Sequence, residues 1–291
     1  MKKFLIYSLI ATSFCFASCD EVGNAYKPQT TNTNTGTQAV RKVLVEDYTG
    51  HLCGNCPKAG AESQTLRQLY GNQVVCMELN VSQTFAGPCP PNFLPPSAPN
   101  GSYSVDYRST VGTTYDNFFG ISAIGLPGGM IDRFTVSGSK ILAPSAWGSV
   151  VDSLTKAPVL ANITVTNTYD SITRVLNTTL SSQFLSAING TSTYKLVVLL
   201  VQDSIVDWQE DYATTPSNVP NYLKRFTLRD VINNAWGDSL TSGNVATGAT
   251  FSKSYTYTIN SAWNAKTCHV ISFIYNASNY FVLQAEDDRV E

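Results

Sequence analysis

The sequence is short of charge. Only 14% of its 291 residues are Asp, Glu, Lys or Arg, and the formal net charge is −2. Binding nucleic acid takes clustered Lys and Arg to neutralise phosphates, so this composition excludes a nucleic-acid partner. Histidine is nearly absent: His51 and His269 are the only two. That constrains imidazole-based hydrolysis, and no Ser/His/Asp signature, phosphate-binding loop or dinucleotide fingerprint is found. There is one Cys-x-x-Cys and no second, whereas a structural zinc site needs four ligands at suitable spacing. Neither a metal nor a cofactor is expected. No internal repeat is evident.

Against these absences stands a hydrophobic content of 43%, enough for real cores. The length suits one large domain or two ordinary ones. Abundant Thr, Ser, Asn and Tyr lean toward a β-rich protein outside the cytoplasm. The start, MKKFLIYSLIATSFCFASCDE, supports that placement. Lys2 and Lys3 form a charged head, Phe4 to Phe16 an apolar stretch too short to span a bilayer, and Ala17-Ser18 a small-residue cleavage point. Small-small-Cys at that place resembles a bacterial lipobox, so residues 1–18 read as a lipoprotein signal. Cys19 then becomes the lipidated terminus and the lipid bilayer the first partner. Residues 19–40 read as a tether, Thr/Asn/Gly-rich with no apolar period. The expected location is the outer membrane, facing the periplasm or the cell surface.

Cys15 leaves with the signal and Cys19 carries lipid. Of the seven cysteines, Cys53, Cys56, Cys76, Cys89 and Cys268 remain. The number is odd, so at least one thiol stays free or pairs between molecules. Cys76 and Cys89 sit on an expected strand and in a Pro-rich loop, and a bridge pinning that loop is the expectation. Cys268 lies in an apolar strand, where a buried free thiol is expected.

The chain changes character near residue 157. Before it, Val43–Val45 begin a buried strand, Pro57 opens a helix and Gly71 stops it, and QVVCMELNV reads as a second strand. Residues 82–107 hold GPCPPNFLPPSAP, six of the thirteen prolines, and read as an inserted loop. A helix through RSTVGTTYDNFFG, a turn at Pro127 with a strand after it, and a helix in PSAWGSVVDSLTKA complete residues 41–157. From 158 to 291, β-branched and aromatic runs alternate with Asn/Gly/Ser turns, the pattern of an antiparallel β-sandwich. NYLKRFTLRDVINNAWGDSL interrupts it as strand or short helix.

The order strand, Cys-x-x-Cys-Pro, helix, strand, helix, Pro, strand, helix resembles a thioredoxin fold. Cys53 and Cys56 stand between the first strand and its helix. Pro127 stands where thioredoxins keep a cis-proline, and Asp47, six residues before Cys53, where they keep a buried acid. Leu52 replaces the usual Trp, and Gly54-Asn55 the usual Gly-Pro. The resemblance implies that Cys53, at the helix N-terminus, is a nucleophilic thiol and that Cys56 resolves the mixed disulfide. Asp47 would then take the resolving thiol's proton and Pro127 hold open an edge for substrate. His51 stands close enough to tune Cys53. A structural disulfide that never turns over remains the alternative.

A wider resemblance rests on VLVEDYTGHLCGNCP, DYRSTVGTTYDNFFGISAIGLPGGMIDR and LKRFTLRDVINNAWGD. These are similar to the twenty-eight-kilodalton outer-membrane-protein family of surface lipoproteins. That implies a thioredoxin-like domain fused to a β-sandwich, α/β plus all-β in class. It implies either protein thiol and disulfide substrates or, as an adhesin or receptor, host or surface ligands.

Overall fold

The structure is a computed structural model and describes residues 39–291. The expected signal, Cys19 and nearly all of the tether lie outside the described residues.

Strand β1 (Val43–Thr49) is buried along both faces, which is why it reads as a continuous apolar run rather than an alternation. Helix α1 (Cys56–Tyr70) carries Pro57 in its first turn and stops at Gly71, whose φ of +57° suits glycine. Strand β2 (Val74–Asn80) pairs parallel with β1, Val43 beside Val74. The Pro-rich segment holds only a single helical turn, α2 (Gln83–Ala86), and a 3₁₀ turn at Pro91–Phe93. Helix α3 (Thr110–Phe119) is capped by Ser109, whose hydroxyl accepts from Gly112 N at 3.0 Å. A short turn, α4 (Ile121–Ile124), precedes β3 (Gly128–Ile131), and α5 (Trp147–Thr155) follows.

The remainder is strand. It comprises β4 (Ala161–Asp170), β5 (Val175–Phe184), β6 (Thr193–Gln202), β7 (Ile205–Glu210), β8 (Asn218–Lys224) and β9 (Thr227–Val231). After these come β10 (Asp238–Ser242), β11 (Thr250–Thr258), β12 (Cys268–Asn276) and β13 (Val282–Arg289). The ambiguous stretch 221–240 is thus β8, β9, β10 and turns. A three-stranded sheet, β11-β5-β4, alternates buried and exposed residues along β5 and packs Leu176, Leu180 and Phe184 over Leu196, Val198 and Val270. This is the antiparallel sandwich.

The other layer of that sandwich is shared. One eight-stranded sheet runs β13-β12-β6-β9-β2-β1-β3, with β10 beside the first part of β6. The boundary expected near residue 157 falls between α5 and β4, yet strands from both sides of it form this sheet. They meet where Glu78 of β2 pairs with Thr227 of β9. On one face of β1–β3, α1 and α5 pack Leu66, Trp147 and Val151 against Val43, Val45 and Ile131. On the other, α3 packs Val111 and Tyr115 against Leu44, Met77, Val197 and Phe273.

At the centre of that second face lies Arg133, fully buried. Its Nε and Nη2 donate to the two carboxylate oxygens of Glu46 at 2.9 and 2.8 Å. Its guanidinium stands 4.7 Å from the Tyr115 ring centre and 5.0 Å from that of Phe273. Beside it, Arg41 pairs with Asp132 and donates to Val282 O at 2.9 Å. Val282 N donates to Asp132 O at 2.9 Å, so the start of β13 lies against the end of β3. Removing one member of a buried pair strands the other charge without compensation. Arg133→Met is expected to cost about 3–5 kcal/mol of unfolding free energy, read as a lowered urea midpoint. Arg133→Met with Glu46→Gln should recover most of that loss. A double variant as unstable as the sum of the two single ones would show that the charges do not act as a pair.

Candidate functional site

Strand β1 ends at Thr49 and the chain turns sharply into α1 through residues 50–55. Gly50 is required there, because a Cβ on it would stand 2.4 Å from Phe85 O. Cys53 N donates to Gly50 O and Cys56 N to Cys53 O, each at 3.0 Å, which folds the two cysteines together. They form a disulfide. Cys56 is the first residue of α1, so the unpaired N–H groups of the helix end face this loop. Gly128 of β3 pairs with Tyr48, which brings Pro127 level with Thr49 at the same end of the sheet, and the Leu126–Pro127 peptide is cis. The structure therefore gathers Cys53, Cys56 and Pro127 at one sheet end.

Asp47 comes from β1 and points to the α1 side. It shares with Cys56 a cavity of about 10 Å³, room for one water, also lined by Glu78, Asn80, Tyr222 and Lys224. Asp47 Oδ1 has no hydrogen-bond partner among the described residues. Burial, then the nearby charge of Glu78, holds the Asp47 carboxyl well above the usual carboxylate range. Burial also raises Glu78 to about 7, against the pull of Lys224, and lowers Lys224 to about 8, against the pull of Glu78. Lys224 Nζ donates to Gln209 Oε1 at 2.9 Å.

Two expectations change. His51 does not offer Cys53 a positive charge. Burial, then the charge of Lys224, lowers it to about 4, and its neutral ring donates from Nε2 to Gly87 O at 3.0 Å between Tyr103 and Tyr107. The Cys76–Cys89 bridge is not formed: both are free. Cys76 points into the core between β2 and α1, its Sγ 3.7 Å from Ser63 O, and burial raises its thiol to about 12. Cys89 lies in the Pro-rich segment, held by its N–H to Tyr103 O at 2.8 Å. Cys268 is a buried free thiol, and His269 is tied to Asp287 at 2.7 Å.

The sequence pointed to none of Glu78, Gln209, Tyr212, Tyr222 and Lys224. Glu78 carried a usable signal, a charge inside the buried run VVCMELN. The others come from the β7–β8 hairpin, far along the chain. That hairpin covers the disulfide, leaving Cys53 only 3% and Cys56 only 2% exposed.

The chain matches the outer membrane protein Omp28 family over residues 113–291, more than half its length. It belongs to that family. Omp28-family membership makes it an outer membrane protein, and no helix among the described residues is long and apolar enough to cross a membrane. The matched span begins after the Cys-x-x-Cys, so the family match does not include the dithiol. No curated protein matches the chain. Among solved structures, HBP35 of Porphyromonas gingivalis is similar at 14% identity and a TM-score of 0.60, over 87% of this chain and 76% of that one. AGR_C_4864 from Agrobacterium tumefaciens is 14% identical with a TM-score of 0.49, over 88% and 97%. A domain of the outer membrane lipoprotein Omp28 from P. gingivalis is 16% identical with a TM-score of 0.32, over 46% of this Omp28-family chain and 91% of that domain.

The raised carboxyl of Asp47 has a stability consequence of definite sign. The folded state holds this proton to a higher pH than the unfolded state, so stability falls as pH rises from about 4, the unfolded Asp value. Asp47→Asn removes that loss. Its unfolding free energy should equal that of the wild type below about pH 4. It should then exceed it by about 1.4 kcal/mol per pH unit until the folded pKa is passed. Urea unfolding from pH 4 to 8, disulfide intact, measures this. An Asn variant no more stable at pH 7 than at pH 4, relative to wild type, contradicts it.

Proposed function

We propose that this outer membrane protein exchanges its Cys53–Cys56 disulfide with protein dithiols. The observation that carries the reading is the shared cavity of Cys56 and the buried, unpartnered Asp47. A thiolate of the partner attacks Cys53 Sγ, the Cys53–Cys56 bond breaks, and Cys56 Sγ departs with the electron pair. Asp47, whose carboxyl burial holds well above the usual carboxylate range, supplies the proton that Cys56 takes up. The partner's second thiolate attacks the partner sulfur of the mixed disulfide and releases Cys53, whose negative charge the N-terminal end of α1 stabilises. The partner leaves oxidised by two electrons; of the two protons its thiols gave up, one restores Asp47 and the other passes to water, while Cys53 remains the thiolate. Pro127, beside the end of β1, is assigned the shaping of the edge where the partner lies.

A second reading has its own observation. Cys53 is 3% exposed, which favours a structural cross-link in a binding protein of adhesin or receptor type. Such a protein would retain its surface ligand equally in the wild type and in Cys53→Ser/Cys56→Ser. The redox equilibrium of the mature chain in graded glutathione buffers separates the two, each cysteine followed by alkylation and mass mapping. Exchange predicts a midpoint between about −120 and −270 mV. A pair still oxidised below about −300 mV is a structural bond, and the binding reading then stands.

A further inference from the structure

The edge of the cysteine loop that a partner must reach is already occupied by the chain itself. Glu210 N donates to His51 O at 2.8 Å, and Tyr212 N donates to Gly54 O at 2.8 Å. Both donors face the loop from the free edge of β7 and the turn that follows it, so this contact has the form of a strand end, running into a turn, laid along a loop. Gln209 adds a side-chain contribution, its Nε2 donating to Gly50 O at 3.1 Å and to Cys53 O at 3.3 Å. The Tyr212 ring rests on Gly54 so closely that a Cβ there would meet it at 2.3 Å. A side chain at position 54 would therefore hold the segment off.

The covering segment is set apart from the rest of the fold. Strands β7 and β8 pair only with each other and join neither larger sheet. Their outer side carries Val206 and Leu223 in solvent, and Tyr212 is 62% exposed despite its seat on Gly54. Its ties away from the loop are polar and aromatic: Tyr107 Oη donates to Asp207 at 2.6 Å, Tyr103 Oη donates to Asn218 Oδ1 at 2.8 Å, Asn218 Nδ2 donates to Pro96 O at 2.8 Å, Trp208 lies 6.0 Å from the Tyr103 ring, and Lys224 stands over the Tyr107 ring. A two-stranded hairpin held mainly by hydrogen bonds and a few ring contacts opens at lower cost than β6 and β12, whose apolar side chains fill the core.

We propose that the β7–β8 hairpin, residues 205–224, is a strap lying in the chain's own polypeptide site. Residues 209–212 stand in for an extended, cysteine-bearing segment of a partner protein, and exchange requires the strap to lift. The strap rests on the thiol–disulfide reading of Cys53 and Cys56. It makes the disulfide unreactive toward small thiols in passing and leaves it open to a protein able to replace the strap's backbone hydrogen bonds with its own.

The test uses the full mature chain and dithiothreitol, which reduces any disulfide it can reach and becomes a cyclic disulfide itself. Tyr212→Ala frees Gly54 and should raise the second-order rate of Cys53–Cys56 reduction about tenfold by shifting the opening equilibrium. Tyr212→Phe keeps the ring and should leave the rate unchanged. Equal rates in the Ala variant and the wild type overturn the strap. Amide hydrogen exchange gives a second reading that needs no variant: Glu210 and Tyr212 should exchange together, at least about a hundredfold faster than the amides of β12. Protection as deep as that of β12 overturns the proposal. The potential of the pair, measured alongside, separates the two ways of failing. Unchanged rates with a potential in the exchange range overturn the strap alone, whereas a pair still oxidised well below that range overturns the exchange reading on which it depends.

Discussion

The ion pair between Glu46 and Arg133 decides how the first strand sits. Two charges removed from water cost several kcal/mol each, and only close, directional contact between them offsets that loss. Here the contact is bidentate and ringed by aromatic faces. Because side chains alternate along a strand, fixing Glu46 toward Arg133 sends its neighbour Asp47 the other way, toward α1 and Cys56. The acid at the cysteines is therefore aimed by an ion pair on the opposite face of the sheet. Tyr115 and Phe273, one from each half of the chain, hold that pair in place.

The two neighbouring acids of β1 have opposite fates for the same reason. Glu46 meets a guanidinium in a dry interior. Asp47 meets no cation directly, only the carboxyl of Glu78 across a space the size of one water, with Lys224 beyond it. A carboxyl placed so gives up its proton reluctantly, which is the property a proton donor to a leaving thiolate needs. Lys224 arrives on β8 and is steadied by Gln209 of β7, so the hairpin that shields the disulfide also contributes the positive charge of its surroundings.

What the sequence disclosed was local. The spacing of Cys53 and Cys56, Pro57 in the first helical turn, Gly71 at its end and Asp47 on the preceding strand are relations within about two dozen residues. Physical rules at that range proved sufficient. Pro127 was legible from element order. Distance along the chain without direction misled: Cys76 and Cys89 are close in sequence, yet one points into the core under α1 and the other lies in the Pro-rich segment. The joining of β2 to β9 and the seating of Tyr212 on Gly54 depend on partners some 150 residues apart. Neither leaves a periodicity or a motif, because each needs only one suitable contact and not a pattern.

The position of β13 has a consequence for how the molecule comes into being. Its first residues bond to Arg41 and Asp132, and Gln284 accepts from Lys42 N across 242 positions of sequence. The strand that settles against Arg41, Lys42 and Asp132 is synthesised long after them. Contacts this distant reward folding only after a long loop has closed, so such a topology assembles slowly and late. The apolar faces of β1, β3 and α3 find their full cover only once residues 282–289 have arrived. A chain built this way leaves its first strands without full apolar cover until its last described strand docks.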